Sequence, residues 1–224
     1  MLLSISELEA KSHNSDTDSI LNKNIPLGDI TNVILKGGGI LSVSQGDENI
    51  LNIETPVNSS YGVEYEVKQT SLVLRVKHNV IDGNIIFHVV MKNIKGFKLM
   101  GGSLVNKTPI KSSDLVLRLD GSGKINLTNL EVGKLFAEVN GSGNISASGS
   151  ATDSKIEING SGDLDLSLFE SKIVKASING SGDCLVWVLD KLDARISGSG
   201  SIKYKGEPKV FNSYTSGSGN ISKL

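Results

Sequence analysis

Three aspartates are placed where their carboxylates could act together. The stretch INGSGD occurs twice, at residues 158–163 and 178–183, so that Asp163 and Asp183 end the two copies, and Asp165 follows two residues after the first. If the copies stack on neighbouring strands, Asp163 and Asp183 lie about 4.8 Å apart with Asp165 on the same face. Carboxylates at that distance share a proton, bind a cation or stay solvated with a repulsion of about 1 kcal/mol in water.

This acidic cluster has three interpretations. The first is a solvated acidic edge, because exposed charged side chains are common and need no ligand. The second is a cation site, for which calcium fits because it prefers carboxylate oxygens. The third is catalysis on a polysaccharide, which needs paired carboxylates or a calcium-assisted base, with an acid or a cation across the bond. The nearest basic residues, Lys124 and Lys203, each lie one or more repeats from the pair.

The stretch CLVWV, residues 184–188, carries the second group of candidate residues. If Cys184 points inward, strand alternation places Leu185 and Trp187 on the outer face. An exposed indole stacks on a sugar ring or anchors a protein contact, and the alternative is that a loop or a second subunit covers it. We interpret Cys184 as a small buried hydrophobe, because the sequence offers no partner to activate a thiolate.

A repeat of about twenty residues positions these side chains. Gly-Ser-Gly recurs at intervals of 20, 19, 20, 18 and 19 residues. A period of this length is typical of a solenoid in which each repeat forms one coil. The first glycine of each repeat is expected to form the corner of a coil, where a Cβ would forbid the backbone angles. These structural corners are Gly121, Gly141, Gly160, Gly180, Gly198 and Gly217. Weaker forerunners are GGS at 101–103 and GGG at 37–39.

Apolar residues recur at fixed distances from these corners. Spacings of two within a repeat put side chains on one face of a strand, and spacings of about twenty stack them. Four positions after the first glycine stand Ile125, Ile145, Leu164, Cys184, Ile202 and Ile221. Immediately before the corners stand Asp120, Asn140, Asn159, Asn179, Ser197 and Ser216, which we predict to form a polar ladder.

The whole pattern predicts an all-β chain. From Pro26 onward short runs alternate between apolar and polar residues, as strands do. We expect a polar N-terminal tail over residues 1–25 and one β-solenoid domain over residues 26–224. Within that domain, residues 26–114 are expected to form a less regular capping half, and residues 115–224 the regular Gly-Ser-Gly coils of about 18–20 residues.

Composition excludes several classes of function. The formal net charge of −1 gives no basic field for nucleic acid. No stretch approaches the roughly twenty apolar residues needed to span a bilayer, and a single cysteine permits no internal disulfide. The opening MLLSISELEA lacks a basic region and contains two glutamates, so we do not expect it to be a signal peptide.

The repeats also resemble a known family. LRLDGSGKINL, AEVNGSGNISASG, IEINGSGDLDLS and ASINGSGDCLVWV, together with YKGEPKV at residues 204–210, are similar to the bacterial family described as putative auto-transporter adhesin, head GIN domain. The resemblance covers about residues 28–224. It implies a right-handed, single-stranded β-helix in an exported protein of the periplasm or cell surface, with a leader not visible in this sequence. The family supplies no catalytic residues to carry over.

These observations lead to one functional hypothesis with two alternatives. We expect a non-catalytic, adhesin-like envelope or surface protein that binds glycans or proteins through the solenoid faces. No cofactor is expected, and calcium is the one ion considered. The alternatives are a polysaccharide lyase or hydrolase using the acidic cluster, and a structural spacer without ligand. Self-association is expected through the free edge of the last coil or through the Trp187 face.

Overall fold

The computed structural model describes residues 3–4, 20–21, 24–56, 62–77 and 85–224. Within these residues the secondary structure is a set of strands, most of which pair in parallel. The strands are β1 (Leu3–Ser4), β2 (Ile20–Leu21), β3 (Asn24–Pro26), β4 (Asn32–Lys36), β5 (Ile40–Gln45), β6 (Ile50–Pro56), β7 (Val63–Lys68), β8 (Ser71–Val76), β9 (Ile86–Met91), β10 (Gly96–Met100), β11 (Ser103–Asn106), β12 (Ile110–Gly121), β13 (Lys124–Gly141), β14 (Asn144–Gly160), β15 (Asp163–Gly180), β16 (Asp183–Gly198), β17 (Ser201–Lys205), β18 (Val210–Ser216) and β19 (Asn220–Lys223).

Strands β13 to β16 each run from one Gly-Ser-Gly corner to the next and stack in parallel. Ile125 pairs with Ile145, and Ile145 pairs with Leu164. Each of these side chains is 1% exposed, and burying one such side chain contributes about 1.5–3 kcal/mol. The buried residues form one hydrophobic cluster that extends from Ile30 to Ile202. The predicted all-β solenoid is therefore confirmed, with about six turns. Its right-handedness stays a prediction.

Glycine is required at the corners for two separate reasons. All six first glycines have positive φ, which an L side chain disfavours. At Gly180, where φ is +141°, an added Cβ would also lie 2.1 Å from the carbonyl oxygen of Gly160 in the neighbouring coil. At Gly121 φ is +97°, but a Cβ would meet nothing within 4 Å. At the Gly180 corner the two coils lie close together, and the N–H of Ser181 donates to the Gly160 carbonyl at 2.9 Å.

The polar residues before the corners form the predicted ladder. The Nδ2 of Asn140 donates to Asp120 Oδ1 at 3.0 Å, and the Nδ2 of Asn159 donates to Asn140 Oδ1 at 3.0 Å. Asn179 continues the series by donating to Asn159 Oδ1 at 3.1 Å. Lys98 closes it at the other end, with its Nζ 2.8 Å from Asp120 Oδ2. The ladder prediction is therefore confirmed over these coils.

The first coils do not stack in chain order. Strand β4 lies between β8 and β10, and strand β5 lies between β9 and β11, all in parallel. The coil formed by β4 and β5 is thus inserted between two coils that come later in the chain. The GGG corner at 37–39 lies beside the GGS corner at 101–103, because the N–H of Gly37 donates to the Met100 carbonyl at 3.1 Å.

Antiparallel strands cover the outer edge of the coil formed by β8 and β9. Strand β7 pairs with β8 and strand β6 pairs with β9. Strands β2 and β3 pair with β6, and β1 pairs with β7. The remainder of the expected tail, residues 1–2, 5–19 and 22–23, lies outside the described residues. The division into a capping half over 26–114 and a regular half over 115–224 stays a prediction.

Bulges absorb the differences in coil length. The register between β15 and β16 shifts between Leu166 and Glu170, where Leu168 is 69% exposed and Phe169 is fully buried. Inside the solenoid Ser154 and Ser171 are buried, with their hydroxyl oxygens 2.7 Å apart. Because each hydroxyl has the other as its partner, the apolar interior tolerates both.

Candidate functional site

In each coil we call the segment leading into Gly-Ser-Gly the incoming limb and the segment leaving it the outgoing limb. The outgoing limbs carry the two INGSGD aspartates on adjacent rungs. The N–H of Asp183 donates to Asp163 Oδ1 at 3.0 Å. Asp183 Oδ1 in turn accepts the N–H of Ser201 at 3.0 Å and its hydroxyl at 2.6 Å. Asn144 extends the row by accepting the N–H of Asp163 at 3.3 Å. These side chains therefore tie successive coils together.

Asp165 lies two residues along the same outer face but is directed to its own strand. Its Oδ1 accepts the N–H of Ser167 at 2.9 Å. Within the described part of the chain, no group of three or more His, Cys, Asp or Glu side chains is placed to hold a metal ion. The calcium role of Asp163, Asp165 and Asp183 stays a prediction, and the hydrogen bonds above give these carboxylates a structural use.

Leu185 and Trp187 alternate along β16 with the buried Cys184, Val186 and Val188, and both are half-buried on the outer side. The bulge in β15 places Glu170 opposite Trp187, and Lys205 is its partner on the other neighbouring strand. The Lys205 Nζ lies 3.7 Å from the centre of the indole ring, at cation–π distance. One face of the ring is therefore already occupied by a side chain of this chain.

Burial also explains the cysteine. Cys184 is 1% exposed within the apolar interior. Burial raises the pKa of the Cys184 thiol well above its ordinary value, and the nearby carboxylates of Asp165 and Asp183 raise it further. The neutral thiol is thus held in the core as a small apolar group, as its position in an apolar series indicates.

A second outer surface lies on the incoming limbs, and we call it the incoming face. It consists of two parallel rows of side chains, brought into register by strands β12 to β16 and β18. One row is Val116, Phe136, Lys155, Lys175, Asp193 and Asn212, and the other is Arg118, Glu138, Glu157, Ser177, Arg195 and Tyr214. The outward residues singled out in the sequence all lie on the outgoing limbs, so they do not include this face. The signal is nevertheless in the sequence, three and five positions before each first glycine.

An open groove of about 440 Å³ lies on the incoming face over the last coils. Five charged side chains line it: Lys155, Glu157, Lys175, Asp193 and Arg195. The uncharged polar residues Ser177, Asn212, Ser213 and Tyr214 complete its polar lining.

Ion pairs neutralise part of this surface. Lys155 Nζ lies 2.7 Å from Glu157 Oε1. Asp193 accepts a hydrogen bond from the Nδ2 of Asn212 at 2.6 Å and lies 3.2 Å from the Nζ of Lys191. The Asn212 amide, followed by the Lys191 ammonium, lowers the pKa of Asp193 below its ordinary value. Asp193 is therefore a satisfied anion at one side of the groove.

Arg195 and Tyr214 are register partners at the outer end of the groove. The Tyr214 side chain is 64% exposed, and Arg195 is also exposed. The residues just before them, Ala194 and Ser213, are also register partners. Because side chains alternate along a strand, Arg195 and Tyr214 project together from the outer face. The pair presents an aromatic ring and a guanidinium side by side to solvent.

A second hollow of about 490 Å³ adjoins the groove at Lys155 and Lys175. Phe136, a half-buried outward aromatic residue, is part of its lining. Arg118 lies 5.5 Å and Lys155 lies 5.2 Å from the centre of the Phe136 ring, both at cation–π distance. The incoming face thus carries two aromatic residues, Phe136 and Tyr214, with both cationic and anionic side chains between them.

At the C-terminal end of the stack, strand β18 is exposed over its whole length. Val210 is 46% exposed and Phe211 is 44% exposed, although the Phe211 side chain continues the series of the fully buried Leu192.

Among the residues that the structure describes, none forms a helix with the length and hydropathy needed to cross a membrane.

Comparison with known proteins gives a consistent result. A family model described as putative auto-transporter adhesin, head GIN domain, matches residues 29–208. The solved structure of a putative adhesin from Bacteroides fragilis is 21% identical, with a TM-score of 0.86 over 93% of this chain and 98% of that chain. A putative adhesin from Parabacteroides distasonis is 21% identical, with a TM-score of 0.75 over 92% and 98%.

A third solved structure carries a different description. A putative lipid binding protein from Parabacteroides distasonis is 22% identical, with a TM-score of 0.74 over 92% of this chain and 96% of that chain. At these identities the solved structures are similar to this chain in fold alone. Comparison with curated proteins gave no match.

Proposed function

This chain belongs to the family described as putative auto-transporter adhesin, head GIN domain, and from that premise we propose that it is a non-catalytic, adhesin-like protein of the cell envelope or surface. It binds glycans or proteins on the flat outer faces of its solenoid. The family description supports export to the periplasm or cell surface.

One observation carries the binding role. Along their incoming limbs, strands β12 to β16 keep their parallel register over successive coils, so outward side chains form straight rows with a repeat of about 4.8 Å. A stack of this kind presents an extended, preorganised surface, which suits a long polymer or a flat protein partner. The exposed or half-buried aromatic residues Phe136, Trp187 and Tyr214 supply contact area on these faces.

The hydrogen bonds of the acidic row support a non-catalytic role. Acid–base chemistry on a glycan needs carboxylate oxygens directed at the substrate. Asp163 and Asp183 instead direct one oxygen each at the backbone of the next coil. Asp165 is likewise engaged with Ser167.

Self-association belongs to the same proposal. Strand β18 pairs with β16 on one side, and its seven residues include no charged side chain or proline of the kind that usually blocks an edge. The exposed Val210 and Phe211 add apolar area to that edge. The second surface proposed for contact between copies is the Trp187 face.

A binding and turnover assay with the full chain tests the proposal. Purified protein is screened against acidic and neutral polysaccharides and against envelope proteins, with binding and product formation measured in the same samples. Binding without turnover is the expected result. Turnover that vanishes in Asp163→Asn or Asp183→Asn overturns the non-catalytic assignment, and the lack of any bound glycan or protein overturns the binding role.

Variants then assign the binding to a face. Trp187→Ala is expected to weaken a ligand held on the outer side of the outgoing limbs. Met100→Ala is its control, because Met100 is an exposed apolar side chain on β10, which pairs with β4 and β12 and not with β16. Protease treatment of intact cells tests the location. The location is contradicted if the protease leaves the protein intact on whole cells and the protein is also not released when the cell envelope is disrupted.

A further inference from the structure

The charges of the incoming-face groove do not cancel. Three cationic and two anionic side chains line it. Glu157 is paired with Lys155, and Asp193 is satisfied by Lys191 and Asn212. Among the described residues no carboxylate lies at ion-pair distance from Lys175 or Arg195. The groove is therefore left with two cationic groups outside any ion pair: Lys175, which faces its register partner Asp193, and Arg195, which lies between Ser177 and Tyr214.

The position of Arg195 defines what such a group can bind. Its guanidinium presents parallel N–H donors that match a carboxylate in a two-point contact. Tyr214 is the cross-strand neighbour, about 4.8 Å away along the stack, and its ring is exposed. A sugar ring stacked on Tyr214 would hold a ring carboxylate within reach of Arg195, with Lys175 on the next rung.

Asp193 lies two residues before Arg195 on the same strand and is the register partner of Lys175, so its own position disfavours an anion. The Asp193 carboxylate repels negative charge, yet it is an acceptor for hydroxyl groups, as is the side-chain oxygen of Asn212. The groove thus places cationic groups, acceptors for hydroxyl groups and an aromatic platform next to one another. That combination matches a sugar that carries both a carboxylate and hydroxyls.

We propose that this groove binds an acidic glycan, with a uronate carboxylate held by Arg195 and Lys175 and its sugar ring stacked on Tyr214. The proposal rests on the proposed function and names the ligand class and the site. The adjoining hollow continues the face along the solenoid axis and gives room for a longer chain. Lys134, Lys155 and Phe136 line it together with the carboxylates of Asp114 and Asp153.

Calorimetric titration with a short oligogalacturonate tests the proposal, and the methyl ester of the same oligosaccharide is the matched neutral ligand. Arg195→Gln is expected to weaken binding of the acid form by about tenfold or more, as loss of a charge-assisted contact does. Tyr214→Ser is expected to weaken it as well, whereas Tyr214→Phe, which keeps the ring, retains most of the affinity. Lys203→Gln is the control, because Lys203 is an exposed cation on an outgoing limb, outside the groove.

The outcomes separate this proposal from the general one. Equal affinity for the acid and its ester, or an equal loss in Lys203→Gln and Arg195→Gln, overturns the site. If the chain binds a neutral glycan or a protein but no oligogalacturonate, the acidic-glycan site fails while the binding function stands. Urea unfolding midpoints that match the parent protein confirm that the variants are folded, so a loss of affinity is a loss of contact.

Discussion

The side-chain amide of Asn159 donates to the side-chain oxygen of Asn140, 3.0 Å away on the next coil, and accepts the same bond from Asn179. A single residue type thus acts as donor toward one neighbour and acceptor toward the other. The ladder complements the backbone pairing by fixing the register at the corner, where glycine leaves the chain least constrained.

Replacing Asn159 with alanine removes both ladder bonds at once. Because the side chain is exposed, each bond contributes at the low end of the usual range, and we expect a loss of about 1 kcal/mol in the free energy of unfolding. Urea unfolding measures the loss. Asn220→Ala, at an exposed outward position outside the ladder, is the control and should change stability by less than about 0.5 kcal/mol. Similar losses for both variants would remove the ladder as a cause.

Corner glycines permit a separation of backbone strain from steric collision. Gly121→Ala introduces only the cost of positive φ, about 1–3 kcal/mol, because its Cβ would meet nothing within 4 Å. Gly180→Ala adds a collision with the Gly160 carbonyl oxygen at 2.1 Å, and it also separates two coils that must pair. We expect the Gly180 variant to lose at least twice as much stability in chemical unfolding. Equal losses would show that the neighbouring corner yields without cost.

The sequence was sufficient for the interior and the corners of the regular coils. Ile125, Ile145 and Leu164 lie in one buried series because a period of about twenty residues and an alternation of two leave a single arrangement. The insertion of β4 between β8 and β10 could not be predicted in this way. These pairings join Asn32 to Ser71 and to Gly96, and neither separation is the single repeat of about twenty residues that joins neighbouring coils in the regular half.

The candidate site, too, was predictable from the sequence only in part. The same periodicity would have placed Arg195 beside Tyr214 had the outward positions of the incoming limbs been aligned as well. The neighbours of Trp187 were beyond reach, because the bulge between Leu166 and Glu170 changes the register just before it. Local irregularities of this kind depend on packing around Phe169, which a single sequence does not specify.

The buried hydroxyl pair provides a third prediction. Ser154→Ala leaves the Ser171 hydroxyl without its partner in an apolar interior, so we expect a loss of about 1–3 kcal/mol. Ser171→Ala should behave alike. The double variant removes both polar groups and should lose clearly less than the sum of the single losses, as a double-mutant cycle of unfolding free energies measures. Strict additivity would mean that the two hydroxyls do not depend on each other.

Calcium provides a fourth prediction, at the acidic row. Because Asp163 and Asp183 already accept backbone N–H groups, we expect the melting temperature to be the same with millimolar calcium and with a chelator. Asp183→Asn keeps an acceptor oxygen for Ser201 and should change stability only slightly. A calcium-dependent rise in the melting temperature that disappears in Asp183→Asn would instead establish the cation site predicted from the sequence.

The end of the ladder should make stability depend on pH. The hydrogen bond from Lys98, supported by the Asn140 amide, lowers the pKa of Asp120 below its ordinary value of 3.8. The stabilisation is therefore present above that value and is lost as the pH falls through the lower pKa of the folded state. Since both side chains are about a third exposed, Lys98→Met should cost only about 0.5–1 kcal/mol at pH 7.

The difference between Lys98→Met and the parent protein should shrink toward zero as the pH falls below the folded-state pKa of Asp120, because a protonated carboxyl gains little from the ammonium. Urea midpoints measured between neutral and strongly acidic pH follow it. Lys95→Met is the matched control, since Lys95 is an exposed lysine on the same coil, and its effect should not depend on pH. A difference for Lys98→Met that persists at the acidic end would mean that the lysine stabilises the coil through packing of its methylene chain and not through the Asp120 charge.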